Sequence, residues 1–121
     1  MSVMSYEERR TRRHFRIRKR IFGTSERPRL AVYRSQKNFH AQAFDDYARK
    51  TLFSFSTTSE KFRKASSNGR TVESAKKMGE LLGPELIAKG FKKIVLDRGG
   101  YRYHGRIKAF AEALRATGVD F

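Results

Sequence analysis

The residue types best suited to chemistry fall in one run, Asp97-Arg98-Gly99-Gly100-Tyr101-Arg102-Tyr103-His104-Gly105-Arg106. Gly99, Gly100 and Gly105 would allow a φ > 0 turn or a close approach of backbone to phosphate. Arg98, Arg102 and Arg106 offer guanidinium forks, and Tyr101, Tyr103 and His104 offer stacking faces. That mixture suits a polyanion with exposed bases better than a small metabolite. The alternation Tyr101-Arg102-Tyr103 predicts that both tyrosines point the same way, either onto bases or against a sheet.

A second cluster supplies charge. From Arg9 to Arg20, eight of twelve positions are basic (Arg9, Arg10, Arg12, Arg13, Arg16, Arg18, Lys19 and Arg20) and none is acidic. Its bias to arginine fits phosphate oxygens and base stacking, where lysine would be only a point charge. Mutual repulsion argues against stable folding of this stretch alone, although Tyr6-Glu7-Glu8 could start a helix with acids at its positive end. A mitochondrial-type targeting peptide fits poorly with Glu7, Glu8 and so few serines.

Catalytic constellations are hard to assemble. His14, His40 and His104 are dispersed and share no ligand spacing. Asp45, Asp46 and Asp97 sit at predicted strand ends, where paired carboxylates could hold Mg²⁺ for phosphodiester cleavage. Asp45-Asp46 is also ordinary turn chemistry, and Asp97 has Arg98 beside it as an expected ion-pair partner. No Ser-His-acid spacing, P-loop or dinucleotide fingerprint occurs. The sequence therefore reads as non-enzymatic, with no cofactor, metal or small-molecule substrate.

The whole chain carries the same charge bias. Its 121 residues hold 28 Lys plus Arg against 12 Asp plus Glu, a formal +16, which favours nucleic acid or an anionic surface as partner. Cysteine is absent, which excludes disulfides and thiolate metal sites and fits a reducing compartment. No apolar run approaches the roughly 20 residues that span a bilayer, and no secretory signal opens the chain, so a cytoplasmic location without membrane attachment is expected.

These residues need a scaffold. Residues 1–26 read as a basic RNA-binding arm, and the turn-rich Gly23 to Pro28 leads into one globular α/β domain over 27–121. Arg29 to Arg34 alternates as a strand, with Leu30 and Val32 opposite Arg29, Ala31 and Tyr33. Ser35 to Asn38 reads as a hairpin turn, Phe39 to Phe44 as a second strand, and Thr51 to Thr57 as a third. Residues 58–69 read as a polar basic loop with a turn at Ser66-Ser67-Asn68-Gly69. Val72, Ala75, Gly79, Leu82 and Leu86 make a helical stripe, which Gly83-Pro84 should kink or restart. Lys93 to Leu96 is a fourth strand, and Ile107, Phe110, Ala111 and Leu114 mark a last helix. The order β-β-β-α-β-α predicts a three-layer-like mixed sheet, an antiparallel meander plus one parallel strand, with covering helices and a right-handed crossover from the third strand to the fourth.

Several runs together resemble a known family. Arg27-Pro28-Arg29-Leu30, Arg34-Ser35, Ala41-Gln42, Ser56-Thr57, and above all Asp97-Arg98-Gly99-Gly100-Tyr101 with Tyr103-His104-Gly105-Arg106 closely resemble bacterial ribosomal protein eighteen of the large subunit. The resemblance runs from about Arg9 to Phe121. It implies a ribonuclease H-like sheet without catalytic carboxylates. It also implies a structural role, docking 5S rRNA onto 23S rRNA in the central protuberance beside neighbouring ribosomal proteins. With the arm and the glycine loop, the rRNA contacts it implies include Arg27, Arg29, Arg34, Ser35, Lys37, Asn38, His40 and Gln42. Departures from the family's usual pattern lie in the Ser35 to His40 hairpin, at Gly83-Pro84, and at Leu96, where Phe is common.

Overall fold

Alternation along the first strand decides which way the sheet faces. In the computed structural model, which describes residues 3–65 and 69–121, β1 (Arg29–Arg34) turns Leu30 and Val32 inward, both at most 3% exposed, and Tyr33 outward. It pairs antiparallel with β2 (Phe39–Asp45), with Leu30 opposite Ala43 and Val32 opposite Ala41. β2 pairs antiparallel with β3 (Lys50–Ser56), with an irregularity between Ala43 and Phe44. β4 (Val95–Asp97) joins the other side of β1 in parallel, so the strand order is β3-β2-β1-β4. The chain is thus α/β with one mixed sheet, a meander plus one parallel strand.

One face of this sheet is apolar and covered. α3 (Val72–Ala88) and α4 (Arg106–Ala116) pack on each other and bury Met78, Leu82, Leu86, Ile107, Phe110 and Leu114 with the inward strand residues. Phe39 and Phe110 meet with ring centroids 5.0 Å apart. Fully burying side chains of this size stabilises by about 1.5–3 kcal/mol each. Gly79 allows the close helix approach, because a Cβ there would lie 2.6 Å from the Phe110 carbonyl oxygen. The last residues close the edge: Ile94 N–H donates to the Asp120 carbonyl at 3.0 Å, and Asp120 N–H donates to that of Lys92 at 2.7 Å.

Four local expectations change. Part of the expected loop is a short helix, α2 (Glu60–Ala65), held by Phe62, which is fully buried. Residues 66–68 of the expected turn lie outside the described residues. α3 runs unbroken through Pro84 with no restart. Proline removes only the bond to the Glu80 carbonyl, and both residues are exposed, so water can replace it while Leu82 and Leu86 stay anchored. Val72 belongs to α3 but is 51% exposed, so the buried stripe starts at Ala75. The fourth strand starts at Val95, two residues later than expected, because Arg29 pairs with Val95 and Ala31 with Asp97.

The N-terminal stretch is helical. α1 (Tyr6–Arg18) opens with a capping box, in which Ser5 Oγ accepts from Glu8 N–H and Glu8 Oε2 accepts from Ser5 N–H, both at 3.1 Å. It contributes no buried residue, so it stays outside the core. None of the helices is long and apolar enough to cross a membrane among the described residues.

Candidate nucleic-acid interface

The centre of the site is a buried set of charges. Asp97, at the end of β4, is fully buried. Its Oδ2 accepts from Arg29 Nη1 at 2.8 Å and lies 3.0 Å from His14 Nε2, while Oδ1 accepts from Gly99 N–H at 2.9 Å. The other side of the Arg29 guanidinium donates to both oxygens of Asp46, at 2.8 and 3.0 Å. Burial opposes the Arg29 charge, but the hydrogen bonds and fields of Asp46 and Asp97 outweigh it and raise the Arg29 pKa. The Arg29 hydrogen bond is also the main cause that lowers the Asp46 carboxyl.

One expectation is corrected here. Asp97 is partnered by Arg29 and His14, not by Arg98, because the parallel β1–β4 pairing sets Ala31 opposite Asp97 with Arg29 two residues away along β1, and α1 brings His14. Arg29, expected among the rRNA contacts, is 5% exposed and paired with two carboxylates. The carboxylates considered for metal are likewise engaged. Asp45 Oδ1 accepts from Tyr47 and Ala48 N–H, each at 3.0 Å, as a turn residue should.

The glycine loop faces the arginine helix. Gly99 and Gly100 take φ of 64° and 81°, and their carbonyls accept from Arg10 Nη1 at 2.7 Å and Arg13 Nε at 2.9 Å. A Cβ on Gly100 would collide with the Arg10 carbonyl, so glycine is what lets α1 lie this close. The two tyrosines do not point the same way, because the loop is not a strand after two left-handed glycines. Tyr101 is buried, with the Arg10 and Arg34 guanidiniums 4.7 and 4.8 Å from its ring centroid. Its hydroxyl donates to the Arg34 carbonyl at 3.3 Å, and burial raises its pKa. Tyr103 is 38% exposed beside Arg98, at 5.9 Å.

Further basic and aromatic groups lie at the outer surface. Arg9, Arg12, Arg16, Lys19 and Arg20 are exposed on and just beyond α1. Arg18 keeps 38% of its side chain exposed while lying 3.6 Å from Asp46. Alongside, the uncovered face of the sheet holds a shallow groove lined by Tyr33, His40, Gln42, Ser54 and Ser56. Tyr33 and His40 stand 6.1 Å apart as tilted rings, and His40 Nδ1 is 2.8 Å from Ser56 Oγ. At the β1–β2 turn, Ser35 Oγ accepts from Asn38 N–H at 3.0 Å, Asn38 Oδ1 accepts from Thr57 Oγ1 at 2.9 Å, and Lys37 is exposed. Chemically, this surface offers forks for phosphate and two ring faces for bases.

The family model described as "Ribosomal L18 of archaea, bacteria, mitoch. and chloroplast" matches residues 4–121. The chain belongs to the ribosomal L18 family. Among similar curated relatives is the large ribosomal subunit protein uL18 of Thermotoga neapolitana, 50% identical over 117 residues, covering 97% of this chain and 96% of the relative. The uL18 protein of Clostridium botulinum (strain Langeland) is 52% identical over 112 residues, 93% of this chain and 92% of the relative. That of Aquifex aeolicus is 49% identical over 116 residues, 94% of each.

In this L18-family chain the fold sorts the expected contact residues into two sets. Arg10, Arg13, Arg29, Arg34 and Tyr101 hold α1, the glycine loop and β1 together. Arg27 is exposed, although its Nε donates to the Ile94 carbonyl at 3.3 Å. Exposed Arg102 and His104 stand on the loop's outer side, and Arg98 and Arg106 are half-buried. Tyr33, 52% exposed, presents an aromatic ring on this surface and is absent from the expected set. Strand alternation had placed it on the polar face, and that signal was enough to find it. Ser54 and Ser56 carried no such signal, since serine on a strand is unremarkable.

Proposed function

We propose that this protein is a non-catalytic structural constituent of the large ribosomal subunit. In this reading it binds 5S rRNA and helps attach it to 23S rRNA in the central protuberance, beside neighbouring ribosomal proteins. One observation carries the proposal: the exposed arginines of α1 flank an uncovered polar sheet face with Tyr33 and His40 on it, so phosphate and base contacts lie side by side. Membership of the ribosomal L18 family supports the ribosomal role. The sheet order β3-β2-β1-β4 supports likeness to ribonuclease H, with Asp97 turned to pairing Arg29. Residues 1–26 act as the RNA-binding arm and 27–121 as the globular domain.

Release of counterions from phosphates supplies the affinity. If the arm neutralises about six phosphates, log affinity falls against log salt with a slope near −4 to −5. Shape and ring stacking then supply selectivity. The test is competition between 5S rRNA and tRNA for the full-length protein at about 150 mM salt. Preference for 5S rRNA is expected, and equal binding of the two RNAs would defeat the specific claim.

A further inference from the structure

On the uncovered sheet face, hydrogen bonding fixes which nitrogen of one imidazole carries its proton. Strand register sets Tyr33, His40 and Ser56 in one row across β1, β2 and β3, with Gln42 and Ser54 side by side in the next. Ser56 Oγ accepts from Thr58 N–H at 3.1 Å and from Thr58 Oγ1 at 2.9 Å. A hydroxyl has two lone pairs and one hydrogen, so both acceptor places are taken. Its hydrogen is left for His40 Nδ1, 2.8 Å away. Nδ1 is therefore the acceptor, and the ring proton sits on Nε2. That Nε2–H has no hydrogen-bond partner among the described residues. It is open to solvent, because His40 is half-buried and the one unpaired side-chain atom closed to solvent among those residues is Arg106 Nη1.

Around this donor stand further uncommitted groups. The Tyr33 ring lies 6.1 Å from that of His40, and Arg10 approaches its centroid only to 6.0 Å, the outer limit of a cation–π contact. The exposed Gln42 carboxamide and Ser54 hydroxyl make no hydrogen bond among the described residues. We propose that this groove seats one unpaired base of the bound RNA, stacked on Tyr33, with an acceptor on its edge taking His40 Nε2–H and Gln42 bonding the rest of that edge. The proposal rests on the RNA-binding reading above and deepens it. A base fits better than a phosphate, because the donor belongs to a neutral ring and no Lys or Arg lines this groove. An adjoining hollow shares Tyr33, His40 and Gln42 and is walled by Arg10 and Arg18 of α1, so the strand carrying the base meets cations beside it.

Stacking without charge separates this site from the arm. Tyr33→Leu should weaken 5S rRNA binding by roughly 5- to 100-fold and leave the salt slope unchanged, because no phosphate contact is lost. Tyr33→Phe keeps the ring and should bind within about twofold of the parent. Unchanged affinity for Tyr33→Leu, or a loss with a shallower slope, would overturn the base site. In the free full-length protein at about pH 8, long-range proton–nitrogen correlation should place the His40 ring proton on Nε2. A proton on Nδ1 would remove the proposed donor and overturn the site as well. In a third arm, the full-length protein is titrated with an adenosine hexanucleotide and with inorganic tripolyphosphate, which has charge but no base. The hexanucleotide alone should move the Tyr33 ring protons upfield. No shift with it, or an equal shift with tripolyphosphate, would contradict the proposal. If 5S rRNA competes no better than tRNA, the function proposed above fails, and the hexanucleotide titration decides the base site on its own.

Discussion

Replacing Asp97 with Asn should damage the protein far more than an isosteric change suggests. The Asp97 carboxylate is fully buried and takes Arg29 Nη1 at 2.8 Å, Gly99 N–H at 2.9 Å and the His14 ring at 3.0 Å. An Asn keeps one acceptor for the Gly99 amide but turns an NH₂ towards Arg29 or His14. Removing one partner of a buried pair costs about 3–5 kcal/mol, chiefly from the charge left behind. Asp46 still holds the other side of Arg29 with two hydrogen bonds, so the lower end applies, about 3 kcal/mol. That is a large share of a total stability of about 5–15 kcal/mol. For a chain of this size it corresponds to a fall in Tm of roughly 10–15 °C. Thermal unfolding followed by circular dichroism reads it directly, with Asp120→Asn as an exposed control expected to change stability by less than about 0.5 kcal/mol. A loss below about 1 kcal/mol for Asp97→Asn would refute the view that Asp97 is the counter-charge joining β1, β4 and α1.

Three further outcomes follow from the same geometry. Converting exposed Arg9, Arg12 and Arg16 to Gln together should flatten the salt slope of RNA binding by about 2–3 and leave Tm unchanged, since none of them holds the fold. Asp46 is held below its ordinary value of 3.8 by the Arg29 hydrogen bond, so its stabilising share is present above that pH and is lost as pH falls through the lower folded value. Acid unfolding of Asp46→Asn should therefore fall less steeply below about pH 4 than that of the parent. Gly100→Ala places a Cβ against the Arg10 carbonyl at φ 81° and should cost about 1–3 kcal/mol, with amide exchange in Tyr6–Arg18 accelerated more than in the sheet.

Much of the scaffold could be read from short-range pattern. Leu30 and Val32 alternate with Ala31 and Tyr33, and the same period in Phe39, Ala41 and Ala43 fixed which face is buried. Ile107, Phe110 and Leu114 did the same for α4. What escaped depends on contacts distant in sequence. Local reading paired Asp97 with Arg98, whereas strand register gave it Arg29 and helix docking gave it His14. Phe62 stands alone in a basic stretch, where one apolar residue has no period, and only packing reveals it as core. At Pro84 the local rule for a helix break was sound, but buried Leu82 and Leu86 on either side outweighed one missing hydrogen bond. The glycine loop was legible as a backbone device. The division of its tyrosines between core and surface was not, because alternation holds only where φ stays extended.

In the proposed function, RNA lies on the surface shared by α1, the open sheet face and the glycine loop, and not on the α3–α4 layer. The natural absence of cysteine makes this directly measurable, because single cysteines can carry an iron chelate that cleaves nearby RNA by hydroxyl radicals. Arg12→Cys on α1 and Gln36→Cys at the β1–β2 turn are both exposed, as is Lys76→Cys on α3. Iron at positions 12 and 36 should cut bound 5S rRNA at discrete sites while iron at position 76 leaves it intact. Equal cleavage from position 76, or none from position 12, would contradict the claim.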